Sequence, residues 1–244
     1  MKIAAIIQAR MGSTRLSGKV MKEIQGKTVL NHVIERVSQS KLIDDIIIAT
    51  TTLERDKNIE NEAIKCNTKI FRGSEDDVLS RYYYAAKEND IDIIVRITSD
   101  CPLIDPNVMD KIISYYMNNE YDLVTNAGSD LDQRTYPRGL DTEVFSFEML
   151  EKAFECGKEK HQREHVTPFI YENSNKIYYY KNNVDYSKYR WTLDTEDDFK
   201  LLEKIYCRLY KNNHDFYLVD IINLFEKEPE LIKINEHVEQ KKIK

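Results

Sequence analysis

The chain has few of the residues that mark disulfide-bonded, collagen-like or disordered proteins. Its 244 residues include 7 glycines, 5 prolines, 4 cysteines and 1 tryptophan. The sequence contains no Cys-x-x-Cys pair, so we expect reduced thiols rather than a disulfide framework or a zinc site. It also lacks internal repeats and low-complexity segments, which argues against solenoid architectures and long flexible linkers.

Long apolar runs and an excess of positive charge are absent as well. No apolar stretch approaches the ~20 residues that a membrane-spanning helix needs, and the first residues lack the apolar segment and cleavage site of a secretory signal. The net charge of -6 is unfavourable for binding a nucleic-acid backbone, which usually requires a basic face. We therefore expect a cytoplasmic protein without membrane or nucleic-acid partners.

The distribution of apolar residues predicts an α/β fold with a doubly wound, mostly parallel sheet. Through the first half of the chain, short apolar segments alternate with segments of helical periodicity, as in strands joined by crossover helices. The predicted strands are 3–7, 46–51, 69–71, 91–98 and 121–126. The predicted helices are 29–37, 58–65, 74–89, with Ser74 as its cap, and 106–119.

Beyond residue 128 the predicted elements become shorter. Strands are predicted at 143–147, 176–181 and 189–193, and helices at 147–156, 161–172, 196–209 and 218–228. The chain is long enough for one sizeable core, and we expect a single domain over residues 1–244. Its predicted parts are a first half (1–127), a small lobe (128–195), closing helices (196–228) and a loosely held tail (229–244).

The loop after the first predicted strand is rich in positive charge. The apolar strand is typical of one buried on both faces of a parallel sheet, and α/β folds bind ligands at the edge where such a strand ends. Two glycines permit close approach of a ligand, while arginines and lysine can reach phosphate oxygens. A solvated basic turn is the alternative; the position after the first strand favours a triphosphate-binding loop. The residues concerned are Arg10, Gly12, Arg15, Gly18 and Lys19.

The loop matches neither of the two commoner phosphate-binding motifs. It lacks the G-x-x-x-x-G-K-[ST] pattern of P-loop proteins and the G-x-G-x-x-G pattern of dinucleotide-binding domains. Two acidic segments complete the set of motifs. Asp100 follows the predicted strand 91–98, where it either holds Mg²⁺ or caps the turn at Pro102. Asp194 precedes Glu196-Asp197-Asp198, an ordinary acidic helix start.

Together these motifs resemble those of the sugar cytidylyltransferases, the family of CMP-Kdo and CMP-sialic acid synthetases, and most closely its SpsF-like spore-coat polysaccharide branch. The family begins with a strand and a Q-A-R-x-G-S-x-R-L-P-G-K loop, where this chain has Ser17 in place of the proline. It continues with a G-D-x-P-L-I segment, here with Ser99 for the glycine, and a late D-x-P/T-E-D-F/L segment. The resemblance spans nearly the whole chain and implies a GT-A-like nucleotidyltransferase fold.

The resemblance also implies an activity and its site residues. CMP would pass from CTP to a sugar or acidic sugar acceptor with release of pyrophosphate, using Mg²⁺ held by Asp100 and Asp194. The first half (1–127) would bind the nucleotide and the small lobe (128–195) the acceptor. A homodimer is the oligomeric state that related synthetases suggest. The expected catalytic residues are Arg10, Arg15, Lys19 and Asp100. The expected nucleotide-binding residues are Ala9, Arg10, Gly12, Ser13, Arg15, Lys19, Ser74, Asp77, Thr98 and Ser99, with segment 72–81 helping to select the base.

Two further segments, 136–145 and 162–168, look like segments of the SpsF-like branch. Their charged side chains can bind an anionic or hydroxyl-rich acceptor, or can form an ion-pair network across the predicted lobe. The expected acceptor-binding residues are Asn126, Arg138, Asp141, Glu143, Arg163 and His165.

Two other classes of function remain open from the sequence. One is a GT-A-type glycosyltransferase, for which Asp130-Leu131-Asp132 offers a D-x-D motif. A glycosyltransferase, however, has no need of three cations on the first loop to bind a triphosphate. The other is a non-catalytic nucleotide-sugar binding protein.

Overall fold

The computed structural model describes residues 1–127 and 131–239. Its strands are β1 (Ile3–Gln8), β2 (Glu23–Ile24), β3 (Lys27–Thr28), β4 (Asp45–Thr51), β5 (Lys69–Gly73), β6 (Ile93–Thr98), β7 (Leu123–Thr125), β8 (Glu143–Ser146) and β9 (Ile177–Tyr179). Its helices are α1 (Val29–Val37), α2 (Lys57–Lys65), α3 (Val78–Glu88), α4 (Pro106–Met117), α5 (Phe147–Cys156), α6 (Lys160–His165), α7 (Pro168–Asn173), α8 (Glu196–Leu209) and α9 (Leu218–Lys227).

The central sheet has seven strands in the order β5-β4-β1-β6-β8-β7-β9. Strand β8 runs antiparallel to its neighbours β6 and β7, and the other pairings in the sheet are parallel. The predicted mostly parallel sheet is therefore confirmed. From β1 the chain adds β4 and β5 on one side and β6 on the other, so the order of strands reverses at β1. Open α/β sheets bind ligands at this point, beyond the carboxyl ends of the strands.

Helices cover both faces of the sheet, and β1 shows why its sequence is apolar throughout. Ile3, Ala5 and Ile7 belong to the core on one face, together with side chains of α1, α4, α8 and α9. Ala4 and Ile6 belong to the core on the opposite face, with side chains of α3, α5 and α7. Alternate residues of a strand point to opposite faces, so a strand buried on both faces has no polar positions.

Two predicted elements differ from the structure because of local backbone chemistry. The helix predicted from residue 74 begins at Val78, and Asp77 caps it by accepting a hydrogen bond from the Ser80 amide at 2.9 Å. The Ser74 cap was therefore wrong. The helix predicted over 161–172 is divided into α6 and α7, since Val166 has a φ of 72° and Pro168 begins the second helix.

The segment predicted as a strand over 189–193 forms no strand. Only an isolated bridge joins Arg190 to Arg138. The backbone bonds instead to turns at the sheet edge: Trp191 N donates to Arg138 O at 2.7 Å, and Leu193 N donates to Asp100 O at 2.8 Å. Buried apolar side chains at alternate positions produced the strand-like pattern, although the hydrogen-bond partners are loops.

The region predicted as a loosely held tail is partly packed. Residues Pro229–Ile234 form a 3₁₀ helix in which Leu231 is buried, and Asn235 behind it is also buried. The prediction of a loose tail is therefore wrong for this part of the chain. Strands β8 and β9, from the predicted acceptor lobe, belong to the central sheet. None of the helices in the described residues has the length and apolar character needed to cross a membrane.

Candidate active site

The loop after β1 is shaped by backbone hydrogen bonds to its neighbours. Ala9 N donates to Ala49 O at 3.1 Å, and Met11 N donates to Asp56 Oδ1 at 2.7 Å. Gly18 adopts a φ of 65°, a conformation that glycine reaches without steric cost, and its N donates to Met11 O at 3.1 Å. The chain therefore folds back on itself and delivers Lys19 to the first turn of a 3₁₀ helix.

The Lys19 ammonium lies at the centre of the candidate site. Its Nζ is 2.6 Å from Asp100 Oδ2, 2.9 Å from Asp194 Oδ1 and 2.8 Å from the carbonyl oxygen of Leu193. Burial opposes the charge of Lys19, but the two carboxylates outweigh it and raise the pKa of the lysine. Burial likewise opposes the charge of Asp100, and the lysine outweighs it and lowers the pKa of that carboxyl. Lys19 and Asp100 are therefore both charged at neutral pH.

Asp194 also accepts hydrogen bonds from two arginines that differ in solvent exposure. Arg15 Nη2 and Arg190 Nη2 lie 2.9 Å and 2.7 Å from Asp194 Oδ2. The Arg190 side chain is 8% exposed and that of Arg15 is 33% exposed. Arg190 also donates from Nε to Asp198 Oδ1 at 2.9 Å, which fixes its guanidinium. Asp194 therefore has one cation anchored by a second carboxylate, Arg190, and two cations from the first loop, Arg15 and Lys19.

The start of α8 holds Asp194 in place. Thr195 and Asp198 form a capping box at the start of α8, in which each side chain accepts a hydrogen bond from the backbone N–H of the other residue. Asn235 Nδ2 donates to Asp198 Oδ1 at 2.8 Å and to Arg190 O at 2.9 Å, so the C-terminal segment completes the support. The ordinary acidic helix start predicted for Asp198 is confirmed, and its ion pair with Arg190 is an addition that the sequence did not reveal.

The oxygens around Lys19 suit a hard divalent cation. Two carboxylates and one carbonyl converge on a single positive charge at hydrogen-bond distance. Mg²⁺ prefers one or two carboxylates, completed by substrate phosphates and waters, and does not require a cage of protein ligands. Within the described residues, no group of three or more histidine, cysteine, aspartate and glutamate side chains could hold a metal. The donor set therefore fits Mg²⁺ accompanied by phosphate.

Another carboxylate, that of Glu75, lies beside Arg10 at the start of the same loop. Arg10 Nη1 is 3.9 Å from Glu75 Oε1, and Glu75 also pairs with Arg55. A methyl group built at Gly12 would lie 2.9 Å from both Glu75 Oε1 and Arg55 Nη2. The glycine therefore leaves room for this ion pair to pack against the loop. The buried Arg81 orients the segment, since its Nη1 donates to the carbonyl oxygen of Ser74 at 2.6 Å.

The remaining predicted nucleotide-binding residues line the same sheet edge or support it. Ser13 Oγ accepts from Leu16 N at 3.4 Å, within the loop. Thr98 Oγ1 lies 3.2 Å from Cys101 Sγ, and Ser99 N donates to Gln8 O at 3.2 Å across β6 and β1. These contacts fix the turn that presents Asp100.

Three of the predicted acceptor-binding residues are placed near this edge. Arg138 is held by backbone hydrogen bonds to segment 189–191. The Asp141 carboxylate accepts hydrogen bonds from both terminal nitrogens of Arg134, at 2.5 Å and 3.1 Å. Asn126 supports them by donating to Leu140 O at 2.8 Å. Burial lowers the pKa of Arg138, and the positive charges of nearby Arg134 and Arg190 lower it further, against the negative charge of Asp141. Arg134 and Arg190 have carboxylate partners, whereas no ion pair among the described residues includes Arg138.

A buried thiol shows that this group lies close to the Lys19 centre. Burial raises the pKa of Cys101, and the negative charges of both Asp100 and Asp141 raise it further. Two carboxylates from different segments therefore flank one cysteine. Gly139 permits the close packing: its φ is 101°, and a Cβ there would lie 2.7 Å from the Trp191 carbonyl carbon.

Other predicted site residues are occupied by contacts of their own. Glu143 pairs with Arg96 and accepts the Thr167 hydroxyl at 3.1 Å. Arg163 pairs with Asp77, and its Nη1 donates to Phe154 O at 2.9 Å. In the described part of the chain, no hydrogen bond or ion pair joins Arg163 to Arg138 or Asp141.

His165 ends α6, where its carbonyl oxygen accepts Thr167 N at 2.9 Å. Asp130 of the D-x-D motif lies outside the described residues. Asp132 lies in a short 3₁₀ helix, Leu131–Gln133.

The structure adds four charged residues to those predicted as individual site residues: Arg55, Glu75, Arg134 and Arg190. Arg190 could have been noticed in the sequence, because it precedes Asp194 and Asp198 at spacings of four and eight. Arg134 had no such signal: its partner Asp141 lies across a turn, and neither residue belongs to a periodic element.

The fold and the cation–carboxylate cluster define a nucleotidyltransferase. The family model described as "Cytidylyltransferase" matches residues 4–242. The chain belongs to this family, and its motif-based resemblance to the sugar cytidylyltransferases is confirmed. A solved cytidylyltransferase from Leptospira borgpetersenii serovar Hardjo-bovis superposes with a TM-score of 0.89 at 38% identity, covering 95% of this chain and 97% of that one.

Curated relatives match over similar or shorter lengths. An uncharacterized protein of Methanocaldococcus jannaschii is 43% identical over 99% of this chain and 97% of its own length. The spore coat polysaccharide biosynthesis protein SpsF of Bacillus subtilis is 29% identical over 93% of this chain and 95% of its own length. A 3-deoxy-manno-octulosonate cytidylyltransferase of Geotalea daltonii is 38% identical over 47% of this chain and 44% of its own length.

Proposed function

We propose that the protein transfers CMP from CTP to a hydroxyl group of a sugar or sugar acid and releases pyrophosphate. The family supports the cytidylyl group. The names of SpsF and of the octulosonate cytidylyltransferase support a sugar acceptor in the synthesis of a surface polysaccharide or glycan. The observation that carries the proposal is the meeting of Arg15 and Lys19 with Asp100 and Asp194 at the carboxyl edge of the sheet.

The loop cations have the chemistry that a departing pyrophosphate requires. Arg10, Arg15 and Lys19 would bind the β and γ phosphates, the arginines as planar donors and the lysine as a point charge. Negative charge grows on the bridging oxygen as it leaves the α-phosphorus, and fixed positive charges stabilise it there. Mg²⁺ held by Asp100 and Asp194 would neutralise phosphate oxygens and make the α-phosphorus more electrophilic.

The second substrate is assigned to the Arg138–Asp141 side of the site. For in-line displacement, the attacking hydroxyl must lie opposite the pyrophosphate. No ion pair among the described residues includes the Arg138 guanidinium, which would suit a carboxylate or another anionic group on the acceptor. Asp141 is 34% exposed and would accept hydrogen bonds from acceptor hydroxyls.

The decisive experiment measures pyrophosphate release with Mg²⁺, each of four nucleoside triphosphates, and a panel of neutral and acidic sugars. We expect release to require CTP and an acceptor together, and to be lost in Asp100→Asn. The matched control is Asp197→Asn, which changes an aspartate that pairs with Lys200 outside the cluster. Acceptor-dependent release with a different triphosphate, or none with any sugar, would refute the assignment.

The alternative classes have less support. Of the two aspartates in the D-x-D motif only Asp132 is described, and its short 3₁₀ helix by itself gives no evidence for a glycosyltransferase. The family match also favours transfer of a cytidylyl group over transfer of a sugar. A non-catalytic binding protein would bind CTP without releasing pyrophosphate, and the same assay separates it from the enzyme.

A further inference from the structure

The Lys19 ammonium occupies the place that the proposed function gives to a metal ion. Its Nζ lies 2.6 Å from Asp100 Oδ2 and 2.9 Å from Asp194 Oδ1. Mg²⁺ binds oxygen ligands at about 2.0–2.1 Å. An ion held by both carboxylates would therefore lie within the space of an ammonium bonded to both. The Lys19 ammonium and the metal ion cannot occupy this space together, and their positive charges repel each other.

We propose that Lys19 closes the metal site in the nucleotide-free protein and opens it when its ammonium moves to the triphosphate. The inference rests on the proposed nucleotide site. Without a triphosphate, a divalent cation would encounter carboxylates whose charges are already neutralised by Lys19 and Arg15. A triphosphate offers the lysine other anionic oxygens, and its flexible four-carbon stem allows the change of partner. Metal and outer phosphates then favour each other's binding by the same factor.

The charges of the cluster balance under this exchange. Lys19 and Arg15 each contribute one positive charge to Asp194, and both belong to the same loop. When both move to phosphate oxygens, the carboxylates lose two positive charges and gain the two that Mg²⁺ brings. Arg190 stays, because Asp198 also holds its guanidinium and the side chain is 8% exposed. The carboxylate Asp194 therefore keeps its orientation while its other partners change.

The first test measures Mn²⁺ binding to nucleotide-free protein by electron paramagnetic resonance of the free ion. Lys19→Met keeps the length of the side chain without its charge, and we expect it to bind Mn²⁺ about tenfold or more tightly than wild type. A tenfold gain corresponds to a site that is open for about a tenth of the time. The double variant Lys19→Met/Asp194→Asn should lose the gain, which locates the ion at this site.

The matched control is Lys22→Met, three positions along the same segment. Lys22 Nζ bonds Glu196 Oε1 at 3.1 Å and lies over the Phe199 ring, away from Asp100 and Asp194. Its substitution should leave Mn²⁺ affinity unchanged. If Lys19→Met does not fold by circular dichroism, Lys19→Gln replaces it in the same measurement.

A second readout uses the wild-type protein and does not depend on a variant's fold. The ¹⁵N signal of the Lys19 ammonium reports its hydrogen-bond partners. We expect it to shift when CTP is added in EDTA, and to stay in place when Mg²⁺ is added without nucleotide.

The outcomes separate this inference from the proposed function. If nucleotide-free wild type binds Mn²⁺ through Asp194 as tightly as Lys19→Met does, Lys19 does not close the site and the inference fails. If CTP turnover is present in that case, the proposed function stands by itself. If Lys19→Met gains the metal but CTP is neither bound nor turned over, Lys19 controls the metal site and the proposed nucleotide is wrong.

Discussion

Lys19 and Asp194 are 175 residues apart in the chain, and the lysine Nζ lies 2.9 Å from Asp194 Oδ1. Both side chains are 12% exposed, so solvent screens this contact less than it screens an ion pair on the surface. Removing either charge takes one partner from the other in a largely buried place, although Lys19 keeps Asp100 and Asp194 keeps its two arginines. Effects on ligand binding must therefore be measured beside effects on stability.

Arg15→Ala should weaken binding of CTP far more than binding of CMP. The lost partners are the outer phosphates, and a hydrogen bond to a charged group contributes about 1.5 to 3 kcal/mol, on the order of ten- to a hundredfold in Kd. Calorimetric titrations with the two nucleotides measure the difference, with Lys22→Ala as the control for a cation outside the cluster. Equal losses for CTP and CMP would contradict the assignment of Arg15 to the β and γ phosphates.

Asp194→Asn should abolish Mg²⁺-dependent turnover while the fold remains intact. The amide keeps the shape of the side chain but lacks the charge that holds a hard cation. Rates across a wide range of Mg²⁺ concentrations, together with a thermal unfolding curve, distinguish lost metal binding from lost structure. Near-wild-type rates would mean that Asp194 serves only to position Arg15 and Arg190.

Arg138→Ala should raise KM for the acceptor and leave the CTP affinity measured without acceptor unchanged. The reason is that no ion pair among the described residues includes Arg138, whose guanidinium would then bind an anionic group on the second substrate. Arg163→Ala is an informative comparison, because Arg163 pairs with Asp77 and its guanidinium lies over the Phe154 ring. These contacts predict reduced stability without a change in acceptor KM. If Arg163→Ala raised the acceptor KM and Arg138→Ala did not, the acceptor would bind near Arg163 rather than near Arg138.

Two buried histidines predict how stability depends on pH. His32 Nδ1 lies 2.9 Å from His214 Nε2, and burial lowers the pKa of His32 to about 4 and of His214 to about 3 from 6.5. The positive charges of Arg36 and Lys27 also oppose protonation of both rings. Between these values and 6.5 the unfolded chain binds protons that the folded chain does not. The contribution of the two histidines to stability is therefore fully present above pH 6.5 and is lost as the pH falls to about 4 for His32 and about 3 for His214.

His214→Gln should reduce the slope of unfolding free energy against pH in this window. A histidine that is neutral in the folded chain and protonated in the unfolded chain changes the unfolding free energy by at most about 1.4 kcal/mol per pH unit. Urea unfolding at several pH values gives the slope, and His161→Gln is the control, since its ring is 33% exposed and pairs with Glu172. An unchanged slope in His214→Gln would show that this ring does not carry the effect.

The central sheet and most helices could be predicted because their signals are local. Strand β1 is apolar at every buried position, and α1, α5 and α8 have the predicted bounds. In each of these helices a serine or threonine before the first residue accepts the bond that caps it. The loop cations and Asp100 could be singled out because polar residues begin abruptly where apolar strands end.

The remaining features depend on contacts between distant parts of the chain. Neither periodicity nor propensity indicates that Leu193 offers its carbonyl to Lys19, or that Arg134 pairs with Asp141. The break between α6 and α7 depends on Val166, a residue type that rarely adopts a positive φ. Such positions are determined by the packing around them, and a single sequence carries little trace of it.

Asn235 gives the enzyme a late step of assembly. Its amide bonds both Arg190 and Asp198, so the support of Asp194 comes from a segment near the carboxyl end of the described chain. During synthesis, domains fold from the amino terminus onward as the chain leaves the ribosome. While residue 235 is still in the exit tunnel, the first loop and Asp100 can already have emerged, but Arg190 lacks this anchor. The anchor of Arg190 therefore forms after the strands of the central sheet have emerged.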